Sequence, residues 1–187
     1  MRLPEFESHD GLGLAALVRS GQVTPAELLE AAIERVEARN PRINAVVMQL
    51  YDHGRQAIAA GLPDGAFRGV PFLLKDLNGS LGGVATTRGS HFFADVVPPK
   101  DGALVKGYKR AGLVIFGKTN TCELGLSVTC EPQYYGPTRN PWHSNILPVD
   151  RAAARPLRLR RAWCRWRMLR MASARFGCPP PAAGSSA

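Results

Sequence analysis

A lysine and an aspartate that close an apolar run are the first candidates for chemistry in this sequence. The segment GVPFLLKDL, residues 69–77, places Lys75 and Asp76 directly after Phe72, Leu73 and Leu74. Such runs form buried strands, and open α/β sheets carry their sites beyond the carboxyl ends of parallel strands. Loss of hydration at an apolar rim favours the neutral amine of a lysine, which can act as a base. Taken alone, the signal is weak and favours the simpler interpretation, a lysine that extends its charge into solvent at a strand end beside an acid.

A second group of polar residues follows another apolar run. The run Leu113-Val114-Ile115-Phe116 predicts a buried strand, after which come Lys118, Thr119, Asn120 and Glu123. We expect these four residues on the loop after the strand. Threonine and asparagine side chains fix turns by hydrogen bonding to nearby backbone, so loop structure is favoured over substrate contact.

The histidines and cysteines show no ligand or disulfide pattern. Neither His91 nor His143 has a carboxylate or cysteine at ligand spacing, so both are interpreted as surface or loop residues. The four cysteines are too few and too irregularly spaced for a metal site or a disulfide framework. They are Cys122, Cys130, Cys164 and Cys178. We therefore expect reduced thiols and no metal.

The elements that must position these residues begin with helices. Thr24, Pro25 and Glu27 form a capping box with proline at the first helical position, and apolar residues recur at helical spacing over 28–36. Because proline disfavours helical backbone in the residue before it, we expect this helix to end before Pro41. A shorter amphipathic helix around Leu14 precedes it, and residues 43–48 are typical of either a short strand or a helix end.

A strand–helix–strand unit follows. Strands are predicted over 69–74 and 113–116, with a helix between them that Asp101 can cap and Gly112 can end. This order is typical of a parallel crossover, and it assigns the chain to the α/β class.

Several segments in fixed order resemble the amidase signature family. After GVPFLLKDL come TTRGS (86–90), HFFAD, AGLVIFGKTNTCELG (111–125) and TCEPQYYGPTRNPW (129–142). The resemblance runs from about Gly11 to Trp142 and is strongest to the branch containing aminohexanoate cyclic dimer hydrolases and related amidases. It implies an incomplete amidase-signature fold, with N-terminal helices and the first strands of a mixed, largely parallel sheet.

The resemblance also implies a reaction. Family members hydrolyse carboxylic amide bonds with a nucleophilic serine, a second serine preceded by a cis peptide bond, and a lysine, which Lys75 matches. This is acyl transfer to water on a small-molecule amide, and it requires no cofactor and no metal. Cys122 stands where members often have proline, a departure that leaves the lysine in place.

Both serine segments of the family are missing from the printed sequence. A segment like SPGGSSGG and a later one like DGGGSIRIPA are expected after Trp142. The serines that do follow lie in no such glycine-rich setting; they are Ser144, Ser173, Ser185 and Ser186. We therefore divide the chain into residues 1–143, the N-terminal part of an amidase-signature domain, and residues 144–187, a non-native tail rich in Arg, Ala and Pro.

A shifted reading frame accounts for this tail. When each codon is built from the third base of one printed codon and the first two bases of the next, PVDRAAA permits GGSSGG. In the same frame MLRMASARFGCPPPAAGSSA permits ASDGVGSIRMPAACCGLVG, so both serine motifs reappear. We infer a frame change between about His143 and Ile146. The chain as written is then an inactive, truncated product with a disordered tail.

The charge distribution raises one alternative. Residues 1–143 hold 15 Lys and Arg against 14 Asp and Glu, whereas residues 144–187 hold 9 Arg and only Asp150. Arginines interleaved with Trp163 and Trp166 could bind nucleic acid or an acidic membrane. We favour the frame change, because out-of-frame reading of GC-rich DNA produces the same composition.

Location is inferred from what the sequence does not contain. No apolar run approaches the roughly 20 residues that cross a bilayer, and the start MRLPEFESHDG has no secretory apolar region. We expect a cytoplasmic protein without a transmembrane segment. The sequence contains no signal for its oligomeric state.

Overall fold

Residues 6–141 are the part of the chain that the computed structural model describes. Their helices are α1 (Gly11–Arg19), α2 (Pro25–Ile43), α3 (Tyr51–Ala59) and α4 (Ala103–Arg110), and their strands are β1 (Val46–Gln49), β2 (Pro71–Lys75) and β3 (Val114–Thr119). Short 3-10 turns cover Phe6–Ser8, His91–Phe93 and Glu123–Gly125. The predictions for the tail 144–187, its frame and its nucleic-acid alternative lie outside the described residues, as do those for His143, Cys164 and Cys178.

Helix α2 begins as the sequence predicts. The Glu27 backbone N–H donates to Thr24 Oγ1 at 3.2 Å, and the Thr24 backbone N–H donates to Glu27 Oε2 at 2.8 Å. The capping box therefore satisfies two of the backbone donors that a helix start leaves open. The apolar face of α2, which includes Leu28, Leu29 and Val36, is buried.

The predicted end of α2 before Pro41 is wrong, because the helix continues to Ile43. Proline fits helical φ and removes only its own hydrogen bond, a small loss in a last turn. The residue before it is held by its side chain: Asn40 Oδ1 accepts from the backbone N–H groups of Ala45 and Val46, each at 2.8 Å. Asn44 then ends the helix in the left-handed conformation, with φ of 51°.

The three strands form one mixed sheet in the order β1-β3-β2. Strand β3 is central; it pairs with β2 in parallel and with β1 antiparallel. The parallel crossover predicted from the sequence is confirmed, and residues 43–48 divide between the end of α2 and the start of β1.

The crossover helix α4 begins differently from its prediction. Its N-cap is Gly102, without a side-chain cap, so the assignment of that role to Asp101 is wrong. The Asp101 carboxylate instead accepts from the Gly82 backbone N–H at 2.8 Å and from Lys109 Nζ at 2.7 Å. The predicted end is confirmed, since Gly112 follows the helix with φ of +85° and donates its N–H to the Lys109 carbonyl.

Both faces of the sheet are covered by apolar side chains. On one face, residues of α1 and α2 form a buried cluster with Val114 and Phe116 of β3. On the other face, Ile115 of β3 is buried with Leu74, Leu81 and Val105. Burial on both faces explains why β3 is a continuous apolar run rather than an alternating one. Within residues 6–141, none of the helices has the length and apolarity that crossing a membrane requires.

Candidate active site

Lys75 is the last residue of β2, as the sequence predicts. The register of the parallel pair places it beside Thr119, the last residue of β3, so both strands end at the same edge of the sheet. The backbone N–H of Asp76 donates to the Thr119 carbonyl at 3.1 Å and extends the pairing by one residue. Lys75 is partly buried at this edge. Carboxyl edges of parallel strands are where α/β folds assemble their sites.

The sequence predicts Lys118 on the loop after the strand, whereas the structure places it within β3. Its side chain is fully buried, and Nζ lies 3.2 Å from Asp76 Oδ1 and 2.9 Å from Thr86 Oγ1. The ammonium also donates to the Ala85 carbonyl. Lys118 is therefore an interior cation held by three acceptors, and the turn chemistry expected of it is wrong.

Asp76 accepts hydrogen bonds from several segments that meet at this edge of the sheet. Its carboxylate has no solvent exposure and receives, besides Lys118, three further donors. Thr87 Oγ1 donates to Oδ2 at 2.6 Å, the Thr87 backbone N–H at 3.2 Å, and Tyr135 Oη at 3.3 Å. These contacts satisfy a buried carboxylate that would otherwise be costly to remove from water. We call Asp76, Thr87, Lys118 and Tyr135 the Asp76 network.

Burial changes the acid–base properties of two members of the network. Loss of hydration lowers the pKa of the Lys118 ammonium, and the charge of Asp76 opposes that shift. Burial likewise raises the pKa of the Tyr135 hydroxyl, and the negative charge of Asp76 adds to this increase. The hydroxyl therefore stays protonated at neutral pH and remains a hydrogen-bond donor to the carboxylate.

The side chain of Asn120 fixes the loop after β3, as the sequence predicts. Asn120 Nδ2 donates to the Gly136 carbonyl and to Thr138 Oγ1, each at 3.0 Å. Thr138 Oγ1 in turn donates to the Asn44 carbonyl at 2.8 Å. Loop fixation is confirmed for Asn120, whereas Thr119 lies in β3 and donates its hydroxyl to the Leu74 carbonyl. Glu123 begins the exposed 3-10 turn after the strand.

Two non-glycine residues with left-handed backbone meet beside the site. Arg88 has φ of 55° and Leu124 has φ of 53°. The Leu124 backbone N–H donates to the Arg88 carbonyl at 2.8 Å, so the loop after β3 is bound to the TTRGS loop. Non-glycine residues adopt this conformation at a cost that the surrounding contacts must offset, and such positions cluster at functional sites.

The remaining candidates are placed as simple structural residues. His91 is exposed in a 3-10 turn with its ring edge-on to Tyr134, as expected of a surface or loop histidine. Cys122 and Cys130 are buried thiols. No cluster of His, Cys, Asp and Glu within residues 6–141 has the arrangement of a metal site.

Sequence reasoning missed Thr87, Tyr135 and the pairing of Asp76 with Lys118. One signal was present for Lys118, since it follows an uninterrupted apolar run and one glycine, LVIFG, and so falls within the reach of the strand. No local pattern marks Thr87 or Tyr135, because their roles depend on loops brought together by the tertiary fold.

These elements form the lysine-bearing edge of an α/β enzyme fold, and comparison with known families identifies which one. The family model described as Amidase matches residues 27–148. The chain belongs to the amidase signature family, whose members are hydrolases of carbon–nitrogen bonds.

Named relatives support this assignment. The chain is 44% identical over 140 residues to the 6-aminohexanoate-cyclic-dimer hydrolase of Paenarthrobacter ureafaciens, an alignment covering 72% of this chain and 27% of the relative. It is 37% identical over 137 residues to the putative amidase AmiC of Mycobacterium bovis, covering 73% and 29%. The chain thus spans less than a third of the length of these relatives.

Solved structures give the same result for the fold. A 6-aminohexanoate cyclic dimer hydrolase complexed with substrate superposes with a TM-score of 0.71 at 40% identity, over 75% of this chain and 29% of that one. A bacterial aryl acylamidase of the amidase signature family superposes with a TM-score of 0.69 at 28% identity, over 78% and 32%. The predicted fold, a partial amidase-signature fold of mixed α/β type, is confirmed.

Proposed function

We propose that residues 1–143 are the lysine-bearing part of an amidase that cleaves carboxylic amides by acyl transfer, and that Lys75 is its catalytic lysine. The observation that carries this proposal is the place of Lys75 at the carboxyl end of β2, paired with the end of β3. The resemblance that assigns Lys75 its role also names the two serines that must complete the site.

The chemistry follows from the properties of these groups. The nucleophilic serine attacks the amide carbon, its proton passes to the bridging serine, and the bridging serine passes its own proton to the Lys75 amine. Backbone N–H groups stabilise the resulting oxyanion. The protonated amine then returns a proton to the leaving amine through the same bridge, and water hydrolyses the acyl-serine. Carbon, nitrogen and protons balance without a cofactor.

We further propose that the chain as written does not hydrolyse amides. Neither serine segment occurs in its printed frame, and the printed serines after Trp142 lack the glycine neighbours that let backbone N–H groups approach an oxyanion. The shifted frame permits both segments, so we propose that the parent gene with the frame restored encodes the triad. The nucleotide sequence across codons 140–150 tests the frame directly.

The experiment compares the printed chain with a version in which one base is inserted between the codons of His143 and Ile146. Both proteins are purified and assayed with an aryl amide and with the cyclic dimer of 6-aminohexanoate. We expect no turnover above background from the printed chain and measurable turnover from the restored one. Lys75→Ala in the restored enzyme is expected to lower kcat by about 100-fold or more, the usual range for a proton-transfer group.

The matched control is Lys100→Ala in the restored enzyme, since Lys100 is an exposed lysine outside the strands. Its turnover should equal that of the restored parent. Undiminished turnover in Lys75→Ala would overturn the role of this residue. Turnover by the printed chain that disappears in Lys75→Ala would overturn the inactivity, because a nucleophile would then exist in the printed frame.

A further inference from the structure

The residue directly after Lys75 is held by contacts from three separate segments. Lys118 reaches Asp76 from β3, Thr87 from the loop after β2, and Tyr135 from the segment after β3. The Asp76 backbone N–H is bonded to Thr119 as well. Few degrees of freedom remain for the end of β2 once these bonds are made.

Stability alone does not explain a buried ion pair at this position. Removing both charges from water costs much of what their attraction returns, and apolar residues of similar volume commonly stabilise a core equally well. The Lys109–Asp101 pair of the same protein shows the ordinary arrangement, with side chains 39% and 20% exposed. Lys118 and Asp76 are 0% exposed and lie beside the proposed catalytic lysine.

The register shows how the network can act on Lys75. Lys118 pairs with Leu74, and Lys75 pairs with Thr119. Successive side chains of a strand point to opposite faces, so Lys118 and Lys75 belong to different faces of the sheet. A carboxylate fixed on the Lys118 side therefore holds the preceding side chain on the opposite side.

We infer that the Asp76 network is a positioning device that fixes the direction of the Lys75 side chain at the edge of the sheet. This inference rests on the proposed function, since it assigns Lys75 the catalytic amine. Asp76, Thr87, Lys118 and Tyr135 are then positioning residues that act through the backbone of β2. Loss of their hydrogen bonds should free the Lys75 side chain before it unfolds the sheet.

The test uses the 187-residue chain with lysines labelled with ¹³C at the ε carbon. The Lys75 signal is assigned by its loss in Lys75→Arg. In the parent chain we expect a signal displaced from that of a free lysine, with restricted motion on the ps–ns timescale. Thr87→Val, which has the same shape without the hydroxyl, should remove at least half of this displacement and increase the motion.

Thr87→Ser is the matched control, because it keeps the hydroxyl that bonds Asp76 and loses a methyl group instead. Its Lys75 signal should stay close to that of the parent. Tyr135→Phe removes one donor to the same carboxylate and provides a second, milder variant if Thr87→Val fails to fold. Asp101→Asn, which alters an ion pair on α4, should leave the Lys75 signal unchanged.

An unchanged Lys75 signal in a folded Thr87→Val or Tyr135→Phe variant would overturn the inference, as would a response in Thr87→Ser equal to that in Thr87→Val. These readouts require no amide hydrolysis. If the frame-restored enzyme is inactive while the Lys75 signal follows the Thr87 hydroxyl, the proposed function fails and the coupling remains. If turnover of the frame-restored enzyme depends on Lys75 while the Lys75 signal is unchanged in the network variants, the proposed function stands and the positioning role fails.

Discussion

Asp76 and Lys118 form an ion pair 3.2 Å apart in which neither side chain is exposed, although 42 positions separate them in the sequence. Asp76 follows β2 and Lys118 belongs to β3, so the pair joins the two parallel strands at the edge where Lys75 lies. Because a buried charge without its partner is strongly unfavourable, each residue depends on the other.

The first prediction concerns the stability that depends on this pair. Asp76→Asn removes the negative charge and leaves the Lys118 ammonium in the interior, so we expect the free energy of unfolding to fall by about 3 kcal/mol or more. Asp101→Asn is the matched control, since its lysine partner is partly exposed and the loss should be about 1 kcal/mol or less. Urea denaturation of both variants measures the difference.

Removing the second charge should reverse part of the loss. The double variant Asp76→Asn with Lys118→Met contains no unpaired charge, and we expect it to be more stable than Asp76→Asn alone. A double variant as unstable as the sum of the two single variants would show that the two side chains do not interact.

The second prediction concerns two glycines, one inside the crossover helix α4 and one just after it. Gly112 has φ of +85°, and a Cβ there would lie 2.6 Å from the Arg68 Cα. Gly112→Ala should therefore destabilise the protein by about 1 kcal/mol or more. Gly107 lies inside α4 with open space around it, so Gly107→Ala should stabilise by about 0.5–1 kcal/mol. A lower urea midpoint in Gly112→Ala and a higher one in Gly107→Ala would confirm this prediction. Shifts of both variants in the same direction would contradict it.

The sequence was sufficient for features that depend on neighbouring residues. The capping box at Thr24 and Glu27, the helix stop at Gly112 and the apolar run of β3 all express local preferences, and each appears where predicted. The position of Lys75 at the end of β2 follows from the same apolar pattern.

Features that depend on tertiary contacts could not be predicted from the sequence. Pro41 stays helical because Asn40 bonds to the chain beyond the helix, and Asp101 leaves its expected cap position to bind Lys109. The pairing of Asp76 with Lys118 depends on strand register, which no local pattern specifies. Local preference is a weak signal wherever a polar side chain has a stronger partner elsewhere in the fold.

The third prediction concerns pH and the start of α2. The Thr24 backbone N–H donates to Glu27, and this bond lowers the pKa of the Glu27 carboxyl from its ordinary value of 4.5. A carboxyl with a lowered folded pKa stabilises the fold above its unfolded value, and that contribution is lost as the pH falls through the folded value. The difference in unfolding free energy between the parent and Glu27→Gln should therefore shrink on acidification from pH 7 to about pH 3.

Thr24 provides the comparison for this experiment. Thr24→Ala removes the side-chain acceptor of the cap and should cost about 1 kcal/mol at neutral pH, whereas Thr24→Ser keeps the hydroxyl and should cost less. A Glu27→Gln difference that is constant with pH would contradict the assignment of the lowered pKa to this carboxyl.

The fourth prediction concerns apolar side chains that the described fold leaves in water. Leu126 is 82% exposed and Val128 is 73% exposed, and both follow β3 beyond the edge that carries Lys75. Exposed apolar patches of this kind promote association. Leu126→Ser combined with Val128→Ser should reduce self-association of the purified chain, measured by sedimentation at fixed concentration. Because neither side chain is buried, the thermal midpoint should change by no more than about 2 °C.

Leu81 is the control for this double variant, since its side chain is fully buried against Leu74 and Val105. Leu81→Ser should lower the thermal midpoint markedly, because it places a hydroxyl in an apolar cluster and leaves a cavity. Self-association that persists in the Leu126 and Val128 double variant would show that other surfaces drive it. Reduced association at an unchanged midpoint would instead assign the contact to the segment after β3.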